Sequence, residues 1–499
     1  MWSPRLIFSV LMMLTFAGTS FSQVYLSGQL RGVLVDTTYI IIGHCYVSSG
    51  TSLTIEAGAT FYINYNLELS IYGSLRALGT EEDSIRFIRS PGLTYWFGIW
   101  ISGDDSCVFR YCSIPHSEYG SILAYGRTLI MEHCTVTSMA PSRALSIGNS
   151  SAILSDCVIG DGATGYGGGG IQCSDSDVLI SRCTISHNHC DSYGGGIRIT
   201  DSRVRIDRCI ITGNSANYGA GMYCSGYDSL PDVVVSNCLI EGNTAGEDGG
   251  GVYFETSIPT IENCTISGNS AQAHGAGIWC RNTVPNIVNT IVEGSREGSA
   301  VMIQNSLYTA VTYCDFYDNL EGDFYGDLPE GLGEIVAVNA NGDSCDVYQN
   351  IFLDPLFVDP ELSDYHLSAE SPCIDAGDPT SPLDPDSTIA DMGAFYYHHT
   401  SQIRDRIATI HPSKYLLHAN YPNPFNSKTI IGYELPVSSH VTLTVYNALG
   451  RPVATLVRGW QQTGSYRVTF DGMGAVSGLY FYRLRAGRFS DSGRMILLR

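Results

Sequence analysis

A chain of 499 residues with 44% hydrophobic, 11% aromatic and 15% charged side chains is too long for one compact domain and too apolar to stay unfolded. Its 54 glycines follow no three-residue period, which excludes collagen. Net charge is uneven: residues 23–402 hold 45 acidic and 14 basic groups (−31) and residues 403–499 hold 4 and 12 (+8), so the body repels nucleic acid and polyanionic glycans and the composition breaks near residue 400.

The chain opens with Arg5, an apolar run from Leu6 to Phe16 and small residues at Ser20 and Ser22. This pattern predicts a secretory signal peptide over 1–22. No later run reaches about 18 apolar residues, so no transmembrane helix is expected.

From residue 107 onward one pattern recurs: a cysteine, one residue, then an apolar side chain. It is seen at Cys112/Ile114, Cys134/Val136, Cys157/Ile159, Cys183/Ile185, Cys209/Ile211, Cys238/Ile240, Cys264/Ile266 and Cys314/Phe316. The cysteine spacings are 22, 23, 26, 26, 29, 26 and 50, the last being two periods with Asn289 and Ile291 filling the missing copy. Apolar pairs precede each cysteine, such as Val178/Ile180 and Val204/Ile206, and others follow glycine-rich turns, such as Ile197/Ile199 and Val252/Phe254. The two-residue period predicts three short strands per repeat, each with one buried face. One repeat cannot close a core; stacked repeats can, each strand pairing with its equivalent one coil on. The expectation is an all-β chain: a right-handed, three-sided parallel β-helix over 23–400, with about 13 coils rising roughly 60 Å.

Asn188, Asn214, Asn243, Asn269 and Asn319 each fall three residues after strand two's apolar residue. A left-handed corner suits asparagine there, and the stacked side chains would form an amide ladder rather than glycosylation or ligand sites. Neighbouring cysteines roughly 4.8 Å apart with parallel side chains do not match disulfide geometry, so free thiols acting as small hydrophobes are expected. Cys45, Cys190, Cys345 and Cys373 lie outside these rows. No CxxC pair occurs, and His187, His189, His398 and His399 lack an evident set of metal partners.

The GGGI-type and CTISGN-type segments resemble the repeats of chlamydial polymorphic outer-membrane proteins and, more broadly, pectin-lyase-like right-handed β-helix proteins. The resemblance covers roughly residues 44 to 395, with Phe316 to Asn319 matching FxxN literally. Thr51 to Gly58 resembles the first coil of such proteins and Asp354 to Ala394 their last.

Stepping one residue past strand three's first apolar position gives an outward row: Trp100, Leu123, Ser146, Gln172, Arg198, Tyr223, Tyr253, Trp279 and Met302. Tyr223, Tyr253 and Trp279 on successive coils suit stacking against sugar rings, with Arg198, Glu255 and Arg281 placed to bind hydroxyls. The alternative is a purely structural aromatic ladder, covered by a loop or by the tail. Gly103-Asp104-Asp105 resembles part of the paired-aspartate motif of polygalacturonase-type hydrolases, although the other motifs of that family do not appear as a set. Asp104, Asp105, Asp175, Asp201 and Glu255 are the carboxylates to weigh for catalysis. Asp384, Asp386 and Asp391 alternate as calcium ligands do, with Ser387 where glycine is usual. An acidic proline-rich turn explains them equally.

After a linker at 401–412, residues 413–499 alternate strands and turns: Thr429–Leu435, Val441–Tyr446, Tyr466–Phe470, Leu479–Leu484 and Arg494–Leu498. A small antiparallel immunoglobulin-like β-sandwich is expected. Asn420 to Asn426, Val445-Tyr446-Asn447 with Gly450, Gly478 to Arg483 and Met495 to Arg499 resemble the C-terminal sorting domain of type IX (Por) secretion cargo. That resemblance implies type IX machinery as a partner and export to the outer surface or medium. The sequence therefore predicts a monomeric, adhesin-like protein binding surface glycans, with a polysaccharide lyase or hydrolase on the same scaffold as the alternative.

Overall fold

A computed structural model describes residues 23–92, 96–103, 105–115, 117, 120–138, 142–306, 308–399, 414–418, 420, 422–436, 439–448, 450–461, 464–472, 474–487 and 489–497. The predicted signal peptide, the linker and Asp104 lie outside them. The chain divides into two units, 1–399 and 400–499.

Among the described residues strands dominate both units, with one short 3₁₀ turn at Pro360–Leu362. The coil beginning at residue 177 shows how the sequence makes the first unit. Strand one is Asp177–Ser181, strand two Thr184–Ser186 and strand three Ile197–Thr200, each hydrogen-bonded in parallel to its equivalent one coil on. Val178, Ile180, Ile185, Ile197 and Ile199 point inward and are fully or almost fully buried, as the two-residue period requires. The same rows run the length of the solenoid as one continuous core, begun by the stacked rings of Tyr39, Phe61 and Phe87.

Most corners follow one local rule: a residue in the left-handed region, then a side chain that bonds to the coil before it. In this coil Arg182, His187 and Asp201 have φ of 50°, 56° and 46°, and Cys183, Asn188 and Ser202 follow them. The asparagines are thus not themselves left-handed, as the sequence suggested; the residue before each one is, and several of those are glycine. The amide ladder does form. Asn188 Nδ2 donates to Asn214 Oδ1, Asn214 Nδ2 to Asn243 Oδ1 and Asn243 Nδ2 to Asn269 Oδ1, each at 3.0 Å.

The cysteine row is a second ladder. The backbone N–H groups of Cys157 and Cys183 donate to the sulfur of the next cysteine at 3.4 Å, and Cys183 Sγ donates to the Ser181 carbonyl at 3.3 Å. Thr290 Oγ1 takes the same place beneath Cys264. The missing repeat therefore centres on Thr290 and Val292, one residue later than the apolar pattern suggests. Serine makes the third ladder, with Ser150 N donating to Ser176 Oγ and Ser176 N to Ser202 Oγ at 3.1 Å. All sixteen cysteines are free and buried, so these thiols bond as well as pack. Cys45 joins the first coils, Cys190 packs among Ala216, Ala245 and Ala271, and Cys345 and Cys373 lie in the core of the end cap. An aromatic disulfide reagent is expected to find almost no reactive thiol in the native protein and sixteen after denaturation in urea; substantial native reaction would show open coils.

A further ladder joins the sheets at Ala163–Thr164, His189–Tyr193, Ser215–Tyr218, Thr244–Asp248 and Ser270–Ala271. Its inward residues are small, so it leaves little apolar signal in the sequence. The strand-one ladder has twelve members and the solenoid makes about 11 turns, fewer than the 13 expected. After Gly326 the chain leaves the coil path and rejoins it only at Tyr348–Phe352, where Ile351 bridges Asp315 in parallel and Asn350 Oδ1 accepts from Cys314 N at 2.9 Å. Residues 354–394 do not form a last coil; they run back as a strap over the outward face of strand two. Tyr365 accepts from Ser267 Oγ at 3.0 Å and donates to Glu241 at 3.1 Å, while Ala394 N donates to Thr265 Oγ1 at 3.0 Å.

The second unit pairs Leu416–Leu417, Lys428–Leu435 and Gly464–Asp471 in one antiparallel sheet. Ser439–Asn447, Pro452–Gln461, Gly478–Ala486 and Phe489–Leu497 form the other. Ile431, Tyr433, Leu443, Tyr482 and Leu484 fill the space between them. The sequence missed Pro452–Gln461, an edge strand whose side chains are exposed or half-buried along its length, so no clean alternation marks it.

Candidate functional site

The outward row of strand three stacks in the expected register: Arg198 beside Tyr223, Tyr223 beside Tyr253, Tyr253 beside Trp279 and Trp279 beside Met302. Its exposure differs from the expectation. Tyr223, Tyr253 and Trp279 are only 2%, 5% and 4% exposed. Their rings lie 5.1 and 4.2 Å apart, and Tyr193 and Tyr218 of the extra ladder pack over them, Tyr193 at 4.7 Å from Tyr223. Glycine allows this cover: at Gly219 and Gly249, with φ of 60° and 69°, the chain passes so close that an added Cβ would come within 2.8 and 2.7 Å of the Cβ of Tyr223 and Tyr253. These rings are an internal spine rather than an open stacking surface. Burial, with Glu255 accepting from Tyr223 at 2.8 Å, pushes the Tyr223 phenol well above its usual range. Arg281 reaches Glu255 at 3.6 Å on the rim, and Arg198 lies over the Tyr193 ring at 5.5 Å.

The same face is open nearer the N-terminus, in coils that precede the extra ladder. Trp100 and Tyr125 are 42% and 38% exposed, with centroids 6.0 Å apart and planes at 33°. Tyr72 is also exposed. Gly148 on the next coil makes room for Tyr125, because a Cβ there would sit 2.5 Å from the ring, and the hydroxyls of Tyr125 and Ser146 pair at 3.3 Å. Beside Trp100 in the ladder, Ser70 donates to Glu68 at 2.8 Å. Two held rings flanked by hydroxyl and carboxylate groups make a shelf. Trp100 belongs to the predicted row, but nothing in the sequence distinguishes it from the covered members.

Asp175 and Asp201 occupy one corner of successive coils and border a shallow depression with Asp177. One oxygen of Asp201 accepts backbone N–H groups from Tyr227, Asp228 and Ser229 at 2.7, 3.0 and 3.0 Å. Partial burial works against its charge, but these donors prevail and hold its carboxyl below the usual range. Its evident work is to anchor the loop that lengthens this coil. Asp105 meets the buried Arg127 through its carbonyl, and Glu255 stands two coils beyond Asp201, one residue before the same corner. Arg127, which the sequence analysis passed over, also donates to the carbonyls of Ser102 and Gly73.

Asp384, Asp386 and Asp391 do not converge on a metal. Asp384 accepts from Asp391 N at 2.9 Å, Asp386 from His399 N at 2.9 Å, and Asp391 from the N–H groups of Asp375 and Tyr397 at 2.7 and 2.5 Å. Among the described residues no group of three or more histidine, cysteine or carboxylate side chains could hold an ion. These carboxylates fold the strap. Burial pushes Asp391 up to about 6.

Ladders of parallel strands closed by three corner stacks define a parallel β-solenoid, and the second unit is a separate antiparallel sandwich. Residues 97–246 and 169–352 match the family model for the right handed beta helix region, together more than half of the chain, and the chain belongs to that family. Residues 419–497 match the secretion system C-terminal sorting domain. That tail marks the protein as type IX cargo, exported to the cell surface or the medium. Among the described residues no helix is long and apolar enough to cross a membrane. No curated protein matches the chain significantly.

Proposed function

We propose that this exported β-helix protein is adhesin-like and binds neutral glycans through the open part of its strand-three face. The observation that supports this reading is the exposed pair Trp100 and Tyr125, held on a rigid sheet at a spacing that suits successive contacts with a sugar chain. The acidic body disfavours polyanionic chains and leaves neutral ones.

Trp100→Ala and Tyr125→Ala in the full chain are expected to weaken retention on insoluble neutral polysaccharides at least tenfold each. Thermal stability should stay nearly unchanged, because both side chains are well exposed. Tyr253→Ala, by contrast, opens a cavity in the spine and is expected to lower stability by about 3 kcal/mol or more. Undiminished retention by the Trp100→Ala, Tyr125→Ala double variant would refute the shelf.

A further inference from the structure

On the open face the aromatic rings recur with a period of their own. Two outward columns run along strand three. In the first, Tyr46 pairs with Ser70, Ser70 with Trp100, Trp100 with Leu123 and Leu123 with Ser146. The second lies two residues further along each strand: Tyr72 and Ser102 follow the pair Ile71–Ile101, Ser102 pairs with Tyr125 and Tyr125 with Gly148. Each column therefore carries a ring, then a serine, then a ring. The columns are one coil out of step, so Tyr46, Tyr72, Trp100 and Tyr125 stand on four successive coils and alternate between the two columns. Within a column the rings are two coils apart, roughly 9.6 Å at the ordinary spacing of paired strands.

These rings are held and still open to solvent. Tyr72 is as exposed as Trp100, and Tyr46 is half-buried with His44 stacked on it at 5.7 Å. Ser70, in register between Tyr46 and Trp100, is fully buried. No lysine or arginine belongs to either column over these coils, so a uronic acid would bring its carboxylate beside Glu68 with no counter-charge. Toward the C-terminal coils the face closes: Arg143 bonds to Gln172 and to the Tyr166 carbonyl, and the extra ladder starts at Ala163.

A ligand that uses all four rings must repeat as they do. A β-1,4-linked chain of glucose-type sugars is extended and has a two-fold screw, so every second unit turns the same ring face to the same side, at a repeat close to two strand spacings. An α-1,4-linked chain coils and a β-1,3-linked chain bends, and neither keeps that step. Resting on the neutral-glycan reading of the shelf, we infer that its ligand is a β-1,4-linked chain of neutral sugars lying along the solenoid axis, with alternate units against Tyr46 and Trp100 and the units between them against Tyr72 and Tyr125.

Titration calorimetry of the full chain with cello-, chito- and β-1,4-manno-oligosaccharides of two to six units, and with maltohexaose and laminarihexaose, provides the test. Affinity in at least one β-1,4 series is expected to rise at least tenfold from two units to four and to change little from there to six, because the rings end. Maltohexaose and laminarihexaose should bind at least tenfold more weakly than that β-1,4 hexaose. Tyr72→Ala removes an exposed ring and should lower affinity for the β-1,4 hexaose at least fivefold with the thermal midpoint unmoved; Tyr46→Ala should lower it similarly. Maltohexaose or laminarihexaose bound as tightly as any β-1,4 hexaose, with that binding lost in the Trp100→Ala, Tyr125→Ala variant, overturns the linkage and leaves the shelf standing. Affinity that does not change with chain length, or that Tyr46→Ala and Tyr72→Ala both leave unchanged, also overturns it. If no hexaose binds, the neutral-glycan reading and this inference fall together.

Discussion

Asn243→Ala is expected to destabilise the solenoid by about 3–5 kcal/mol, because a buried corner loses four hydrogen bonds at once, two to Asn214 and one each to Ile211 and Asn269. Asn243 Oδ1 accepts from both the backbone N and the Nδ2 of Asn214 at 3.0 Å, and its own Nδ2 donates to the Ile211 carbonyl at 3.0 Å. Alanine leaves the Asn214 backbone N–H without its acceptor in a fully buried corner, while Asn214 Nδ2 keeps only the Ile185 carbonyl. Neighbouring asparagines cannot compensate, since each spends its amide on the adjacent coil. Cys209→Ala should cost less, because thiols are weak donors and acceptors and the ladder bond there is 3.4 Å long. Asn286→Ala, on an exposed outward position, should change stability by less than about 0.5 kcal/mol. Coils of a solenoid need not unfold together, so denaturation is best paired with hydrogen exchange at the Asn214 amide, protected in the parent and exchanging early in the variant. Equal stability of Asn243→Ala and Asn286→Ala would remove the amide ladder from the account of this fold.

That ladder was legible because its chemistry repeats at fixed intervals, as were the inward rows and the cysteine stack. A solenoid writes each coil's demands into the same positions of the next, and period alone then gives strand register. What escaped was whatever does not repeat or does not look apolar. The serine ladder at Ser150, Ser176 and Ser202 is hidden because serine is common in any turn. The ladder that covers Tyr223 and Tyr253 has Cys190, Ala216, Ala245 and Ala271 as its inward row, too small to register as a strand face. The covering glycines were taken for a simple turn, so three rings expected at the surface are inside. The strap was the largest miss: its contacts join residues far apart, such as Tyr365 with Glu241 and Asp378 with Asn289, and nothing local in 354–394 announces them. The shelf lay half in view, since Trp100 stood in the predicted row, but its exposure follows from where the extra ladder begins.

The joint between the last coil and the end cap is expected to weaken as pH rises from about 4 to about 8. Asp315 is fully buried there. It accepts from Leu353 N at 3.1 Å and from Cys373 Sγ at 3.3 Å, so its carboxyl ties the cap to the coil. Burial pushes it up to about 8; the bonds from Leu353 and Cys373 oppose that rise, and the charge of Asp323 adds to it. Cys373, itself pushed well above the usual thiol range by burial and by Asp315, stays protonated throughout. In the unfolded chain Asp315 titrates near 4, so between the two values the folded protein holds a proton that the unfolded one has released. This contribution is complete below about pH 4 and is lost as pH climbs through the folded value, at about 1.4 kcal/mol for each unit separating the two. Asp391, pushed up to about 6 on the strap, acts in the same direction over a narrower window. The midpoint of thermal unfolding of the solenoid should therefore fall between pH 5 and pH 9, with amides of residues 350–375 the first to lose protection. Asp315→Asn keeps the size and removes the titration, so it should be the more stable form at pH 9 and should flatten the profile, leaving the smaller Asp391 slope. Parallel profiles for parent and Asp315→Asn would show that this carboxyl does not titrate against folding.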